Sequence, residues 1–184
     1  MAAASFDRCL GWILLREGGY VDDPADAGGA TNMGITRATL AGWRGASVTA
    51  EDVRALTRDE AGAIYRARYW IPIRGDDLPA GVDLVCLDAA VMSGTGRAAR
   101  MLQQAVGAEP DGAIGPLTLA AAGAADPEAV ILAVSQARED FYRAIARRDP
   151  SQQRFLKGWI ARVDLTRGQA LVQARPDGDG GPAA

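Results

Sequence analysis

The residue that most clearly invites a chemical interpretation is Glu17, because it continues the apolar stripe of a predicted amphipathic helix. That helix is predicted over residues 6–17, with Ser5 as its N-cap. A carboxyl group on a buried stripe is costly unless it has a partner or a chemical task. Burial and the negative end of the helix dipole both favour a carboxyl group that keeps its proton near neutral pH. Such a group can act as a general acid.

A plainer interpretation of Glu17 stays open at this stage. Its side chain could lie at a frayed helix end, facing water or paired with Arg37 or Arg68. The sequence contains no histidine, which removes His-bearing zinc sites, Ser-His-Asp triads and Cys-His pairs. Carboxylates are then the natural groups for acid–base chemistry, and we expect neither a metal ion nor another cofactor.

The loop that follows Glu17 carries a specific motif. Glu17 begins the run Glu-Gly-Gly-Tyr, and residues 26–36 read Asp-Ala-Gly-Gly-Ala-Thr-Asn-Met-Gly-Ile-Thr. This pattern resembles the signature of glycoside hydrolase family 108, a group of N-acetylmuramidases of which some are called secretion activators. The sequence departs from that pattern at Ala27 and Met33, where proline and tyrosine are usual, and at Met92, where asparagine is usual.

The resemblance implies a peptidoglycan hydrolase of the endolysin or lysozyme type. It would cleave the β-1,4 bond between N-acetylmuramic acid and N-acetylglucosamine, with Glu17 as the catalytic acid. Two alternatives stay open: a lytic transglycosylase, and a non-catalytic protein that binds the cell wall or assists secretion. We expect a monomer whose partner is the glycan strand of peptidoglycan.

A second carboxylate, Asp26, follows Glu17 by nine positions, a spacing similar to that of phage-type lysozymes. Two carboxyl groups flanking a glycosidic bond form the usual glycosidase pair, and their separation decides between retention and inversion. Asp26 could equally organise its loop through an Asx-turn. Thr31 and Asn32 could hydrogen-bond a catalytic water molecule or a sugar N-acetyl group.

Aromatic residues offer further candidates for substrate binding. Tyr65, Tyr69 and Trp70 could stack on sugar faces, although packing in the core explains them equally well. In the second half, residues 111–118 and 155–162 resemble a peptidoglycan-binding module that follows the catalytic segment in this family.

The pattern of helix signals predicts an all-α fold, and the resemblance makes it lysozyme-like. Threonines are expected to cap three short helices, at Thr36, Thr49 and Thr57. Residues 82–92 are apolar nearly all round and should form the central buried helix. We predict a catalytic lobe over 1–93, a helical peptidoglycan-binding-like lobe over 94–172 packed on it, and a disordered tail over 173–184.

Charge and hydropathy exclude some classes of protein. The formal net charge of −3 argues against a nucleic-acid binder, and no apolar run is long enough for a membrane span. No signal peptide is evident, so we expect synthesis in the cytoplasm and action in the periplasm after release by a holin or a secretion system. Residues 138–175 hold nine Lys or Arg and four Asp or Glu, which could attract an anionic polymer or form an ordinary solvated surface.

Overall fold

The computed structural model describes residues 2–22 and 29–175, and most of this part of the chain is helical. The α-helices are α1 (Ala2–Glu17), α2 (Arg37–Arg44), α3 (Ala50–Arg54), α4 (Arg58–Tyr65), α5 (Val82–Ser93), α6 (Thr95–Ala105), α7 (Pro116–Ala124), α8 (Pro127–Arg148) and α9 (Gln153–Ala174). A π-helical turn spans Arg66–Trp70, and 3₁₀ turns span Gly75–Asp77 and Pro150–Gln152. The predicted all-α, lysozyme-like class is confirmed.

The first helix begins earlier than its predicted start. The alanines that precede Ser5 continue α1 back to Ala2, because alanine has the highest helix propensity of any residue. Ser5 therefore lies inside the helix and does not cap it. Its hydroxyl donates a hydrogen bond to the buried carboxylate of Asp83, in the first turn of α5. The predicted end of α1 is confirmed, since Gly18 adopts a left-handed φ of 76° directly after Glu17.

The loop after α1 contains a small antiparallel hairpin that the sequence analysis did not predict. It consists of β1 (Thr31–Asn32) and β2 (Ile35–Thr36). Val21 extends it, exchanging two backbone hydrogen bonds of 2.8 Å with Thr31. The turn residues Met33 and Gly34 have φ angles of 49° and 73°. Two successive left-handed residues match the twist of an antiparallel pair, so this two-residue turn brings the strands together.

Helix caps position the short helices much as predicted. The side chains of Thr36, Thr49 and Thr57 each accept a hydrogen bond from a backbone N–H three residues later. At Thr49 the Asp52 side chain also bonds back to the cap, which completes a capping box. The segment that carries Tyr69 and Trp70 follows α4 as the separate π turn, Arg66–Trp70.

The central helix α5 is buried along almost its whole length, as the sequence predicts. All residues from Val82 to Ala90 are buried, and α5 contacts α1, α6, α8 and α9. Two of these buried residues are acidic. Burial raises the pKa of Asp83, although hydrogen bonds from Ser5 and two backbone N–H groups oppose the rise. The other, Asp88, belongs to the candidate active site.

The second half of the chain folds against this helix. The long helices α8 and α9 form a hairpin, and both contact α5. Helix α9 extends to Ala174, beyond the predicted lobe end at residue 172, and residues 176–184 of the predicted tail lie outside the described residues.

Cys9 and Cys86 are both buried and free. Burial raises the pKa of Cys86 to about 12, so this thiol stays protonated.

Among the described residues, no single helix is long and apolar enough to cross a membrane. The pair α7 and α8 passes a test of length and composition when taken together, but the two helices meet at a bend of 118°.

Candidate active site

Glu17 is the last residue of α1, and its carboxyl group is partly open to solvent, with 18% of the side chain exposed. One oxygen, Oε1, accepts a hydrogen bond of 2.7 Å from Nη2 of Arg162. Arg162 lies on α9, far along the chain. The cation on Glu17 is therefore Arg162 and neither of the two considered from the sequence, Arg37 and Arg68.

The second oxygen of Glu17 faces the hairpin turn at Gly34. A Cβ atom built on Gly34 would stand 2.9 Å from Oε2 of Glu17, and it would clash with the Tyr65 hydroxyl. Any side chain at this position would therefore displace the carboxyl group. The positive φ of Gly34 also favours glycine. The close approach of Glu17 and the backbone conformation therefore both require glycine at this position.

Tyr65 fixes the position of this turn. Its hydroxyl donates a hydrogen bond of 3.1 Å to the backbone carbonyl of Met33. The pKa of Tyr65 is raised, first by burial and then by the charge of Glu17, so the hydroxyl remains a donor. Tyr65 is only 1% exposed, which leaves no face for a sugar. Tyr69 is partly exposed, and its ring centroid lies 5.6 Å from that of Tyr65.

Trp70 belongs to the core and cannot stack on a sugar face. It is fully buried, packs edge-on against Phe6 with ring centroids 5.3 Å apart, and donates from Nε1 to Asp76 at 2.8 Å. The backbone of Gly75 lies directly on its indole ring. The burial of Trp70 and Tyr65 favours the core alternative weighed from the sequence for both residues.

The polar candidates of the hairpin have structural partners. Asn32 is 9% exposed, and its Nδ2 donates to the carbonyl oxygens of Val53 and Arg54 at 3.1 and 3.2 Å. These bonds tie β1 to the end of α3, so the Asn32 amide nitrogen is already occupied. Thr31 is half-buried, and its hydroxyl contacts the carbonyl of Gly29 at 3.4 Å. The remaining candidate, Asp26, lies outside the described residues.

A buried carboxylate behind Glu17 holds the arginine in place. Asp88, fully buried on α5, accepts hydrogen bonds of 2.9 and 2.7 Å from Nε and Nη2 of Arg162. Its other oxygen accepts a bond of 2.6 Å from Arg138 on α8. The hydroxyl of Thr166 also lies 3.4 Å from it. Four charges thus alternate in sign from Glu17 through Arg162 and Asp88 to Arg138, and they sum to zero when both carboxyls are ionised.

Electrostatic interactions keep Asp88 and Arg162, the two central members of this chain of charges, ionised. Burial raises the pKa of Asp88, but the charges of Arg138 and Arg162 outweigh it and hold the pKa below its ordinary value. Burial lowers the pKa of Arg162, but its interactions with Asp88 and Glu17 outweigh burial and hold the pKa above its ordinary value. Sequence reasoning did not assign either residue to the site. The available signals were an aspartate inside an apolar helix and an arginine at the end of the 155–162 motif.

Other features of the structure lie away from this site. A cavity of about 560 Å³ lies between α1 and α4, where Leu10 and Arg66 are part of its lining, and Glu17 does not line it. Within residues 2–22 and 29–175, no group of three or more His, Cys, Asp or Glu side chains is arranged to hold a metal ion.

Comparison with known proteins identifies the family of the chain. A glycosyl hydrolase 108 model matches residues 10–94, and a predicted peptidoglycan domain model matches residues 97–164. The solved structure of SagA from Brucella abortus matches with 43% sequence identity and a TM-score of 0.82, covering 95% of this chain and 98% of that one. The chain belongs to glycosyl hydrolase family 108. Curated protein sequences give no significant match.

Within this family 108 chain, Glu17 falls in the segment that matches the hydrolase model, and Arg162 falls in the segment that matches the peptidoglycan domain. The ion pair between them therefore joins the two matched segments. Membership of the family makes the protein a peptidoglycan-related glycoside hydrolase.

Replacing Asp88 with asparagine should lower the free energy of unfolding by about 3–5 kcal/mol at pH 7, because Arg138 would be left as an uncompensated buried charge. The depressed pKa of Asp88 makes its contribution to stability complete above the unfolded-state pKa of about 3.9 and lost as the pH falls below it. Urea denaturation at pH 7 and pH 3 should therefore show a smaller loss on acidification in Asp88→Asn than in the wild type.

Glu51→Gln provides the matched control, because Glu51 pairs with Arg54 on the surface and is 78% exposed. Exposed pairs contribute little to stability, so this variant should unfold like the wild type at both pH values. Equal unfolding curves for Asp88→Asn and the wild type at pH 7 would contradict the assigned role of Asp88.

Proposed function

We propose that the chain hydrolyses the β-1,4 bond between N-acetylmuramic acid and N-acetylglucosamine, with Glu17 as the general acid. The observation that carries the proposal is the position and solvent exposure of the Glu17 carboxyl group. It is partly exposed at the end of α1, held by Arg162 through one oxygen and positioned by Gly34 beside the other. In a family of glycosyl hydrolases, a carboxyl group with one oxygen held by a cation and one side open to solvent is suited to protonate a leaving sugar.

In the proposed step Glu17 reacts in its protonated form. Its proton passes to the glycosidic oxygen while the bond from that oxygen to the anomeric carbon breaks. The electron pair of the broken bond stays with the leaving oxygen, and Glu17 becomes a carboxylate. Arg162 stabilises that carboxylate as it forms, since the two groups are 2.7 Å apart. Asp88 grips the same guanidinium through two bonds, so the cation need not reorganise during the reaction.

Asp26 is proposed as the second carboxylate of the pair. It would either activate a water molecule or stabilise positive charge at the sugar, and its separation from Glu17 would decide between retention and inversion. Such an enzyme acts on the cell wall, so we propose that it works in the periplasm after release by a holin or a secretion system.

A lytic transglycosylase is the related alternative, because it also needs one carboxyl acid. Mass spectrometry of digested glycan separates the two activities, since transglycosylase products are anhydro-sugars that lack one water. A purely wall-binding role would leave the partly exposed Glu17 carboxyl group, which Arg162 holds at 2.7 Å, without a chemical task.

Glu17→Gln should reduce the hydrolysis of purified sacculi at least 100-fold, because glutamine cannot supply the proton and loss of a general acid costs about 10²–10⁴-fold. Dye release from labelled sacculi measures the rate, and a sedimentation assay measures binding. Binding and melting temperature should stay close to those of the wild type. Glu51→Gln is the control for removal of a glutamate charge elsewhere. More than about half of wild-type activity in Glu17→Gln would refute the assignment of Glu17 as the acid.

Asp26→Asn should slow hydrolysis strongly while leaving the protein folded, because asparagine keeps the size of the side chain but loses its charge. The measurement pairs turnover with thermal melting. If the variant melts at a clearly lower temperature and its folded fraction turns over normally, then Asp26 serves the loop as an Asx-turn residue.

Arg162→Met should reduce kcat by about 10–100-fold and change KM much less, because Arg162 positions Glu17 rather than binding substrate. Displacement of a catalytic group by about 1 Å can cost about 100-fold. Steady-state kinetics on a soluble glycan fragment give the two constants separately. Arg167→Met is the control, since Arg167 lies on the same helix and pairs with Glu139 and Asp164 instead. A variant impaired only in KM would show that Arg162 contacts the substrate and would contradict its positioning role.

A further inference from the structure

Four aromatic side chains form a continuous row along the hairpin of α8 and α9. We call Phe141, Tyr142, Trp159 and Phe155 the aromatic ladder. Successive ring centroids lie 5.5, 5.2 and 5.9 Å apart. These are the separations of directly interacting rings, so the four rings form one connected cluster.

The exposure of the rings to solvent increases along the ladder from Tyr142 through Trp159 to Phe155. Tyr142 is 4% exposed, Phe141 and Trp159 are partly buried, and Phe155 is 43% exposed. Leaving much of a phenylalanine ring in water forgoes the stabilisation that its burial would give. The exposed end of the ladder is thus available to a ligand and is unused by the catalytic step described above.

Cations flank both ends of the ladder. The guanidinium of Arg97 lies 4.1 Å from the ring centroid of Phe141, and that of Arg154 lies 4.6 Å from that of Phe155. Both arginines are exposed, and neither forms a salt bridge with another described residue. The surface therefore presents flat aromatic faces together with positive charge.

The ladder begins one helical turn from the charges that hold Glu17. On α8, Tyr142 follows Arg138 by four residues, and on α9, Trp159 precedes Arg162 by three. The hydroxyl of Tyr142 also lies 3.5 Å from that of Ser93, about one turn beyond Asp88 on α5. From Arg162 to Phe155, α9 rises by about 10 Å at 1.5 Å per residue. The ladder thus lies next to the chain of charges that ends at the proposed catalytic acid.

We propose that the exposed end of the aromatic ladder is a glycan-binding subsite, which holds a peptidoglycan strand beside the bond cleaved at Glu17. Sugar rings would stack their C–H faces on Trp159 and Phe155, because the face of an aromatic ring attracts weakly positive hydrogens. Arg97 and Arg154 would meet the carboxylates of the lactyl groups and stem peptides. This inference rests on the proposed function, since it names where that substrate extends.

A glycan fits this surface better than a second protein molecule does. A stable protein interface buries about 800 Å² on each partner, whereas the exposed part of the ladder amounts to two rings and their flanking arginines. A sugar ring is matched in size to one aromatic side chain. The rise of about 10 Å along α9 is comparable with the length of a disaccharide.

The test measures binding of the full chain to purified sacculi in a Glu17→Gln background, which prevents digestion. Phe155→Ala should weaken binding about tenfold, and Trp159→Leu at least as much, because leucine keeps apolar volume but loses the flat face. Both losses should persist in 1 M salt, where charge attraction is screened to about 3 Å. Trp159→Phe, which keeps an aromatic face, should restore most of the affinity lost in Trp159→Leu.

Leu165→Ala is the matched control, because Leu165 is an exposed apolar residue on the same helix, 57% exposed and outside the ladder. It should bind within about twofold of the parent. Parent-like binding by both Phe155→Ala and Trp159→Leu would overturn the subsite, leaving the ladder as helix packing. Loss of a dimer in Phe155→Ala during size-exclusion chromatography with light scattering, without loss of sacculus binding, would assign the surface to a second copy instead.

The outcome is separable from that of the proposed function. If the ladder variants bind like the parent while Glu17→Gln alone abolishes hydrolysis, the subsite fails and the catalytic assignment stands. If Glu17→Gln still hydrolyses sacculi but Phe155→Ala binds tenfold more weakly, the catalytic assignment fails and the ladder remains a binding surface.

Discussion

The arrangement of the active site depends on one guanidinium, that of Arg162, shared between two carboxylates. Its Nη2 lies 2.7 Å from Glu17 on one side and 2.7 Å from Asp88 on the other. Because Arg162 on α9 joins Glu17 on α1 to Asp88 on α5, the packing of three helices must be correct before this sharing can occur. The chain of charges continues into the core as far as Arg138. Two buried nitrogens of Arg138, Nε and Nη1, have no hydrogen-bond partner among the described residues. A charge buried at that cost suggests that it maintains a specific helix arrangement rather than maximal stability.

The hairpin imposes the complementary constraint from the opposite side. Its turn places Gly34 against Glu17, and the Tyr65 hydroxyl anchors that turn through the carbonyl of Met33. Asn32 fixes the strand before it to the end of α3. Tyr65, a predicted sugar-stacking residue, therefore holds the turn beside Glu17, and Asn32 holds the strand before it. Of the three aromatic candidates only Tyr69 is partly exposed, and our proposal adds the aromatic ladder as a surface for the glycan.

Local signals predicted much of this fold because they act within a few residues. The caps at Thr36, Thr49 and Thr57, the glycine that ends α1, and the apolar helix α5 depend on nearby hydrogen bonds or on periodicity. The predicted start of α1 was wrong because the preceding alanines extend the helix, and Ser5 instead bonds to Asp83, a partner 78 positions away. Arg162 escaped assignment for the same reason, since no periodicity in the sequence links it to residue 17. Trp70 was ambiguous because burial and sugar stacking call for the same side chain, and only the packing of Gly75 and Phe6 distinguishes them.

The distance along the chain between Glu17 and its cation, 145 positions, has a consequence for the timing of biosynthesis. Domains form from the amino terminus as a chain leaves the ribosome, so the segment with the carboxyl group emerges long before α9. A nascent or carboxy-terminally truncated chain would carry Glu17 without the group that orients it. Such a chain would not hold Glu17 in the geometry described above until α9 has been made and has packed against α1 and α5.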